Sequence, residues 1–201
     1  PTPRSSDLPS APAPKIDAAE AFSLVEKAVS FGPRASGSEG ARKIAEWIAA
    51  EAKSCKGFDV RTMEFEEGTP GGKVRFRNVV AKMPGADSSR FIVVGAHYDT
   101  KRLASAPDFQ GANDGGSGVG VLLAMMRALS RDAVKPPVSI RFVFFDGEEC
   151  LYGYSESDGL HGSRRLVEEW KSGGELKSCA AMILLDMVGD SDLCVTIPAG
   201  S

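Results

Sequence analysis

Six side chains that could carry out acid–base or metal chemistry follow short apolar runs of this sequence or lie in a glycine-rich segment. They are His97, Asp99, Asp114, Glu148, Glu149 and Asp186. Carboxylates that are held close together repel one another, so some must be protonated unless a cation compensates their charge. The motifs that contain these residues include no lysine or arginine, which favours a bound metal ion. The mixed nitrogen and oxygen donors suit zinc, and manganese or cobalt are also admissible.

The spacing within these motifs indicates different tasks for neighbouring side chains. A histidine two residues before an aspartate, as in His97 and Asp99, is typical of a ligand ring that a second carboxylate orients. The adjacent acids Glu148 and Glu149 allow one carboxylate to bind the metal while the other moves a proton. The glycines that follow Asp114 let the backbone approach closely around it.

Three nearly continuous apolar runs predict the strands that position these groups. The runs FIVVGA at 91–96, VSIRFVFF at 138–145 and AAMILL at 180–185 are typical of strands covered on both faces, as in a parallel sheet. Apolar residues at helical spacing predict helices at 117–130 and 162–171. In an open α/β sheet, ligands bind beyond the carboxyl ends of the strands. We therefore expect the six side chains to gather at one edge of the sheet.

The N-terminal part of the chain predicts two helices followed by a hairpin. Asp17 begins a capping-box pattern with Glu20, and a second helix is expected near Ser38. Alternating residues over 58–66 and 74–83 predict paired antiparallel strands joined by a glycine-rich turn. The predicted fold class is α/β, a three-layer α/β/α domain with a central mixed, mostly parallel sheet and an N-terminal antiparallel hairpin.

Composition narrows the range of partners. The sequence carries 24 lysine and arginine residues against 27 acidic ones, a net charge of −3, so nucleic acid is not an expected partner. No apolar run approaches the roughly 20 residues that a membrane span needs. Residues 1–15, rich in Pro, Ser and Ala, are expected to form a flexible leader before a single domain over 16–201. Because such a segment often follows a cleaved export signal, we expect a periplasmic or extracellular protein. Oligomeric state is left open.

Five motifs occur in an order and at a spacing that resemble a known family. GAHYDT, GANDGGSGVG, FFDGEE, LHGSR and LLDMVGD resemble the zinc aminopeptidases of peptidase clan MH, such as the bacterial leucyl aminopeptidases. The related animal glutaminyl cyclases share that scaffold. With the lead-in FGPRASGSEG, the resemblance covers about residues 17–198. It implies a zinc-dependent aminopeptidase, a hydrolase that cleaves the N-terminal peptide bond of peptides with a free N-terminus.

The resemblance also implies which residues hold zinc. His97 and Asp186 would bind one ion, and Asp114 would bridge it to a second. Glu149 would bind the second ion, which in the family also takes a histidine from a loop downstream of Asp186. The other histidine of this chain, His161, lies in LHGSR, which is not a ligand motif of the family. We therefore expect the domain to be incomplete at its C-terminus, with one zinc ion where the complete family site holds two.

Two further residues would take catalytic roles by the same resemblance. Glu148 would act as the general base for the attacking water and pass the proton to the leaving amine. Asp99 would orient the ring of His97.

Two alternatives to the aminopeptidase hypothesis remain open. The segment CLYGYSESDG and the run HYDTK resemble the glutaminyl cyclases, in which one zinc ion polarises the γ-amide of an N-terminal glutamine. Tyr154 stands where those enzymes carry a pocket aromatic, and this substitution argues against a glutaminyl-peptide cyclotransferase. The other alternative is an inactive or truncated metal-binding domain.

Overall fold

The computed structural model describes residues 14–131 and 135–195, so most of the predicted flexible leader, residues 1–13, lies outside the described residues. The described part contains a five-stranded sheet and four α-helices. The strands are β1 (Asp59–Thr69), β2 (Gly72–Met83), β3 (Asp87–His97), β4 (Val138–Phe145) and β5 (Cys179–Leu184). The helices are α1 (Ala18–Val29), α2 (Glu39–Ser54), α3 (Gly118–Arg131) and α4 (His161–Ser172).

The sheet is mixed, with strand order β1-β2-β4-β3-β5. The first hairpin, β1 and β2, pairs antiparallel, and β2 continues antiparallel to β4. The strands that precede the candidate site residues form the parallel part, because β3 pairs parallel with both β4 and β5. The predicted α/β fold class with its N-terminal hairpin is confirmed, although the four strand pairings divide equally between the two orientations.

Helices cover both faces of this sheet. On one face, α1, α2 and α3 pack through buried residues such as Leu24, Ile44 and Leu122. On the other face, α4 packs through Leu166 and Trp170. Side chains alternate between the two faces along β4, and both sets are buried, which accounts for the nearly continuous apolar run in this strand.

Both predicted helix starts are confirmed, with one difference. The carboxylate of Asp17 accepts hydrogen bonds from the backbone N–H groups two and three positions on, at 2.9 and 3.2 Å. The hydroxyl of Ser38 accepts one from the third residue on, at 3.1 Å. Glu20 does not return the bond that a capping box requires. Its carboxylate instead contacts Arg127 and Arg131 of α3, each at 3.0 Å, which ties α1 to the helix beside it.

The edge strand β5 is more exposed than its sequence predicts. Met182, Ile183 and Leu184 are 52%, 51% and 53% exposed. The strand pairs with β3 along one edge. Among the described residues, its other edge and most of its side chains are left uncovered. The prediction that this run is covered on both faces is therefore wrong for the described part of the chain.

No helix in the described part of the chain combines the length and the apolar character that would let it span a membrane.

Candidate metal centre

The parallel strands deliver three of the predicted site residues to one edge of the sheet. His97 is the last residue of β3, Glu148 follows β4 after a short turn, and Asp186 follows β5. Parallel neighbours carry their carboxyl ends to the same edge, where an α/β sheet binds its ligands. Asp114 reaches this edge from a distorted helical turn over Ala112–Ser117 that leads into α3.

Three of these side chains form a group that could hold a metal ion. The ligand atoms of His97, Asp114 and Asp186 all lie within 4.8 Å of one another. His97 Nε2 is 3.1 Å from Asp114 Oδ1 and 3.6 Å from Asp186 Oδ1. This nitrogen is buried, yet it has no hydrogen-bond partner of acceptable geometry among the described residues. A buried polar atom directed at two carboxylates without a hydrogen bond is the arrangement that a metal ion between them would satisfy.

The charges around His97 also favour a bound metal ion. Burial lowers the pKa of His97, but the carboxylates of Asp114, Asp186 and Asp99 outweigh it and raise this pKa to about 12. A proton on the ring would partly neutralise the acids around it. A zinc ion would compensate the same carboxylates and would require the neutral ring as its ligand.

The backbone next to Asp114 depends on glycine. Gly115 has φ +81°, in the left-handed region that other residues rarely adopt. A Cβ atom there would lie 3.0 Å from the backbone oxygen of Asp99 and 3.2 Å from the ring of His97. The glycine-rich segment therefore lets Asp114 lie against the histidine, as its sequence predicts.

Asp99 connects the two halves of the site. Its buried carboxylate accepts hydrogen bonds from the backbone N–H groups of Glu148 and Glu149, both at 3.1 Å. The ring Nδ1 of His97 lies 3.1 Å from the backbone oxygen of Asp99 and 3.6 Å from its carboxylate. The contact on the β4 turn was not anticipated from the sequence. The predicted orientation of His97 by Asp99 stays a prediction, and the backbone oxygen makes the nearer contact.

Glu148 lies at the open side of the site. The hydroxyl of Tyr154 lies 3.2 Å from each of its carboxylate oxygens. Burial raises the pKa of Glu148 above its usual value, while the nearby charge of His97 opposes this and that of Asp99 adds to it. A half-buried carboxylate with a raised pKa suits a group that must both accept and return a proton.

Glu149 lies beside the three-residue group rather than within it. Burial and the charges of Asp114 and Asp99 raise the pKa of Glu149 to about 7. Its carboxylate is 3.3 Å from the ammonium of Lys101, which directly follows the motif GAHYDT. The motifs that contain the site residues include no lysine or arginine, but Lys101, just outside them, supplies a cation to Glu149. The assignment of Glu149 to a second zinc ion stays a prediction.

Other polar groups support the site from behind. The carboxylate of Asp146 accepts hydrogen bonds from the hydroxyl of Ser36 at 2.8 Å and from the backbone N–H of Arg77 at 2.9 Å. Burial and the nearby charge of Asp99 raise the pKa of Asp146 to about 7. His161 is buried away from the metal group, where its Nδ1 lies 2.7 Å from the carboxylate of Glu67. The expectation that His161 is not a ligand stays a prediction.

A buried arginine holds the segment that carries Asp114. Arg34 is fully buried, and its guanidinium donates to the backbone oxygens of Tyr98 at 2.9 Å, Gln110 at 2.6 Å and Gly111 at 3.0 Å. Burial lowers its pKa to about 10, and the charges of Asp99 and Asp114 oppose the change. Arg34 joins the end of β3 to the start of the glycine-rich turn. In the sequence, Arg34 directly follows a glycine–proline pair, and this local pattern does not predict that its guanidinium joins two distant segments.

We expect Arg34→Met to lower the free energy of unfolding by about 3 kcal/mol, because several backbone oxygens lose a charged donor. Urea denaturation followed by circular dichroism measures the change. Arg42→Met is the matched control, since Arg42 pairs with Glu39 and Glu46 on the exposed side of α2 and its loss should cost about 1 kcal/mol or less. Equal losses in the two variants would contradict the role given to Arg34.

Comparison with known proteins places most of the chain in one group of relatives. Residues 78–198 match the family model described as Peptidase family M28. Glutaminyl-peptide cyclotransferase of Drosophila melanogaster is 29% identical over 165 residues, which cover 80% of this chain and 46% of that protein. The glutaminyl-peptide cyclotransferase-like protein of Mus musculus is 32% identical over 172 residues, covering 79% and 44%. The chain thus spans about half the length of these curated relatives.

Solved structures give the same likeness. A glutaminyl cyclase from an Acidobacteriales bacterium matches with a TM-score of 0.82 and 35% identity, over 96% of this chain and 67% of that one. The glutaminyl cyclase of Porphyromonas gingivalis matches with a TM-score of 0.72 and 32% identity, over 88% and 61%. A Zn-dependent exopeptidase from Parabacteroides distasonis matches with a TM-score of 0.71 and 28% identity, over 89% and 64%.

Proposed function

Because this chain belongs to peptidase family M28, we propose that the full-length protein uses the described site to cyclise the N-terminal glutamine of peptides. The observation that carries this proposal is the likeness to the Acidobacteriales glutaminyl cyclase, which extends over nearly the whole chain. The contact between Lys101 and Glu149 also supports it, since an ammonium neutralises the carboxylate that a second metal would use. The proposal reverses the order of the two enzyme hypotheses drawn from the sequence.

We assign to Glu148 the two proton transfers that the proposed reaction needs. The α-amino nitrogen of the substrate attacks the carbon of its own γ-amide, so the C–N bond of a five-membered lactam forms. The bond from that carbon to the amide nitrogen breaks, and ammonia leaves. Glu148 accepts a proton from the attacking amine and returns it to the leaving nitrogen, so that no net proton is consumed. The hydroxyl of Tyr154, 3.2 Å from both oxygens, holds the carboxylate in place between the two transfers.

Three residues of the chain would hold the metal, namely His97, Asp114 and Asp186. A zinc ion bound there would supply Lewis-acid polarisation of the γ-carbonyl oxygen. Asp99 fixes the backbone of Glu148 relative to His97 through its hydrogen bonds on the β4 turn. Asp99 therefore links Glu148 to one of the three metal ligands, through its carboxylate on the Glu148 side and through its backbone oxygen on the His97 side.

Aminopeptidase activity is the second candidate. It is supported by the likeness to the Zn-dependent exopeptidase of Parabacteroides distasonis and by membership of a peptidase family. The same Glu148 would then take a proton from water, and the first peptide bond would break in place of the γ-amide bond.

A peptide that begins with glutamine separates the two reactions. We expect the full-length protein with zinc to release ammonia from such a peptide and to leave all of its peptide bonds intact. Mass spectrometry should show one product, lighter than the substrate by one ammonia. Release of free glutamine without ammonia would instead establish hydrolysis, and the same peptide with an N-terminal alanine serves as the control for that activity.

A further inference from the structure

A cavity of about 570 Å³ opens on the surface next to the candidate site. Its walls come from the segment that follows β3 and from the residues that follow Glu149. Its wall includes two cationic residues and several largely apolar ones, namely Lys101, Arg102, Leu103, Pro107, Leu151 and Tyr152. The mechanism proposed above does not use this cavity.

The cavity adjoins a smaller one that reaches Glu149. This smaller cavity shares Arg102, Leu151 and Gly71 with the large one, and its wall also includes Glu149. Lys101, in the wall of the large cavity, contacts the carboxylate of Glu149. The two adjoining cavities therefore lead from Glu149, beside the candidate metal group, to the surface, and we take them as the path of the peptide. An extended peptide advances about 3.3–3.6 Å per residue, so the residues just after the reacting one would enter this path.

The charge of the cavity is opposite to that of the site it adjoins. None of the described residues in its wall is acidic, whereas two are cationic, Lys101 and Arg102. Lys101 is already paired with Glu149. Arg102 is exposed, donates to the backbone oxygen of Ser36 at 3.3 Å, and has no carboxylate within ion-pair distance in the described ranges. Its guanidinium is available to a ligand.

We propose that this cavity binds positions 2 and 3 of the substrate peptide and that Arg102 selects an acidic side chain there. This inference rests on the proposed function, because that function makes the ligand a peptide whose N-terminus reacts. A guanidinium binds a carboxylate through charge-assisted and often paired hydrogen bonds. Because Arg102 is exposed, one such contact should contribute at the low end of the range for hydrogen bonds to charged groups. We therefore expect kcat/KM to be about tenfold higher for the acidic peptide than for the neutral one.

Three peptides that differ only at positions 2 and 3 test this selection. They begin Gln-Glu-Glu, Gln-Gln-Gln and Gln-Lys-Lys and carry a fluorophore at the C-terminus. We expect kcat/KM for ammonia release to fall in that order, with about tenfold between the first and the second. The preference should shrink when salt rises from about 50 to about 500 mM, because exposed charges are screened.

Variants assign the selection to one residue. Arg102→Gln should bring the acidic peptide to the level of the neutral one, and Arg102→Glu should favour the lysine peptide. The readout is the ratio of kcat/KM between the acidic and the neutral peptide, so a change that affects all three peptides equally does not count as lost selection. Arg90→Gln is the matched control, because Arg90 is an exposed arginine near the other end of β3. The Arg90→Gln variant should prefer the acidic peptide over the neutral one as strongly as the wild type does.

Equilibrium binding keeps this proposal separate from the proposed reaction. Fluorescence anisotropy of the same labelled peptides, measured with the Glu148→Gln variant, reports affinity without turnover. Tighter binding of the acidic peptide without ammonia release from any peptide by the wild type would support the cavity and overturn cyclisation. Ammonia release at equal rates and equal affinities for all three peptides would overturn the cavity and support cyclisation.

Discussion

Replacing Glu148 by glutamine is expected to lower kcat for cyclisation about 10²–10⁴-fold, the usual contribution of a positioned general acid–base group. Glutamine has the size of glutamate and keeps an oxygen and an NH2 group at the same place, but it cannot accept the proton of the attacking amine. The carboxylate lies outside the group of His97, Asp114 and Asp186, so bound zinc should remain at the wild-type level. Steady-state ammonia release and elemental analysis of the purified protein give the two quantities.

The control for this substitution lies in the same loop. Glu156 is exposed, and Glu156→Gln removes the same charge at a short distance in sequence. It should leave both kcat and zinc content unchanged. If Glu148→Gln retained wild-type turnover, the role of proton carrier would have to pass to another residue. If it lost its zinc together with its activity, Glu148 would be a ligand instead.

Asp114→Asn is expected to reduce zinc affinity at least about 100-fold, since loss of a partner that only supports a ligand already costs 10–100-fold. The amide keeps the shape of the side chain but removes the charge that faces His97 Nε2 at 3.1 Å. Titration with a competing chelator measures the affinity. Activity should fall with the bound metal and recover in part at high zinc concentration.

Asp108→Asn separates a ligand effect from a general loss of negative charge. Asp108 is exposed and lies in the segment before the glycine-rich turn, so its substitution should leave the chelator titration unchanged. Equal zinc affinity in the wild type and in Asp114→Asn would exclude Asp114 from the metal centre. Circular dichroism of both variants should match the wild type, which would exclude unfolding as the cause.

The strands and the site edge could be predicted because they rest on local patterns. The run at 138–145 has the same bounds as β4, since continuous apolar residues are required in a strand covered on both faces. The same rule failed for β5, where the described chain leaves the apolar side chains about half exposed. His97 and Asp186 could be placed together from strand polarity, because one ends β3 and the other follows β5 at the same edge, whereas Asp114 joins them from the turn before α3.

The cations around the site could not be predicted in the same way. Lys101 directly follows a site motif, but nothing local indicates that its ammonium turns to a glutamate far along the chain. Arg34 lies still farther from the residues it holds, and a single arginine in a loop is usually solvated. Such contacts depend on tertiary packing, which neither periodicity nor composition encodes.

The choice between hydrolysis and cyclisation also lay beyond the motifs. The five motifs supply a metal group and a glutamate, and both reactions use these. In the sequence, Tyr154 argues against a cyclase because it replaces another aromatic residue. In the structure its hydroxyl lies 3.2 Å from both oxygens of Glu148. The family is confirmed, and the relatives compared favour the cyclase as the hypothesis to test first.

The position of Arg34 sets an order of events during synthesis. Its acceptor on Gln110 lies 76 residues later in the chain. At about 5–20 residues per second, the ribosome delivers that acceptor about 4–15 s after the arginine. Until then the hydrogen bonds from Arg34 to the turn that carries Asp114 cannot form. Asp186 arrives later still, so a zinc ion that met the growing chain early would find separate carboxylates and no site. All three candidate ligands are therefore present only after the acceptors of Arg34 have been synthesised.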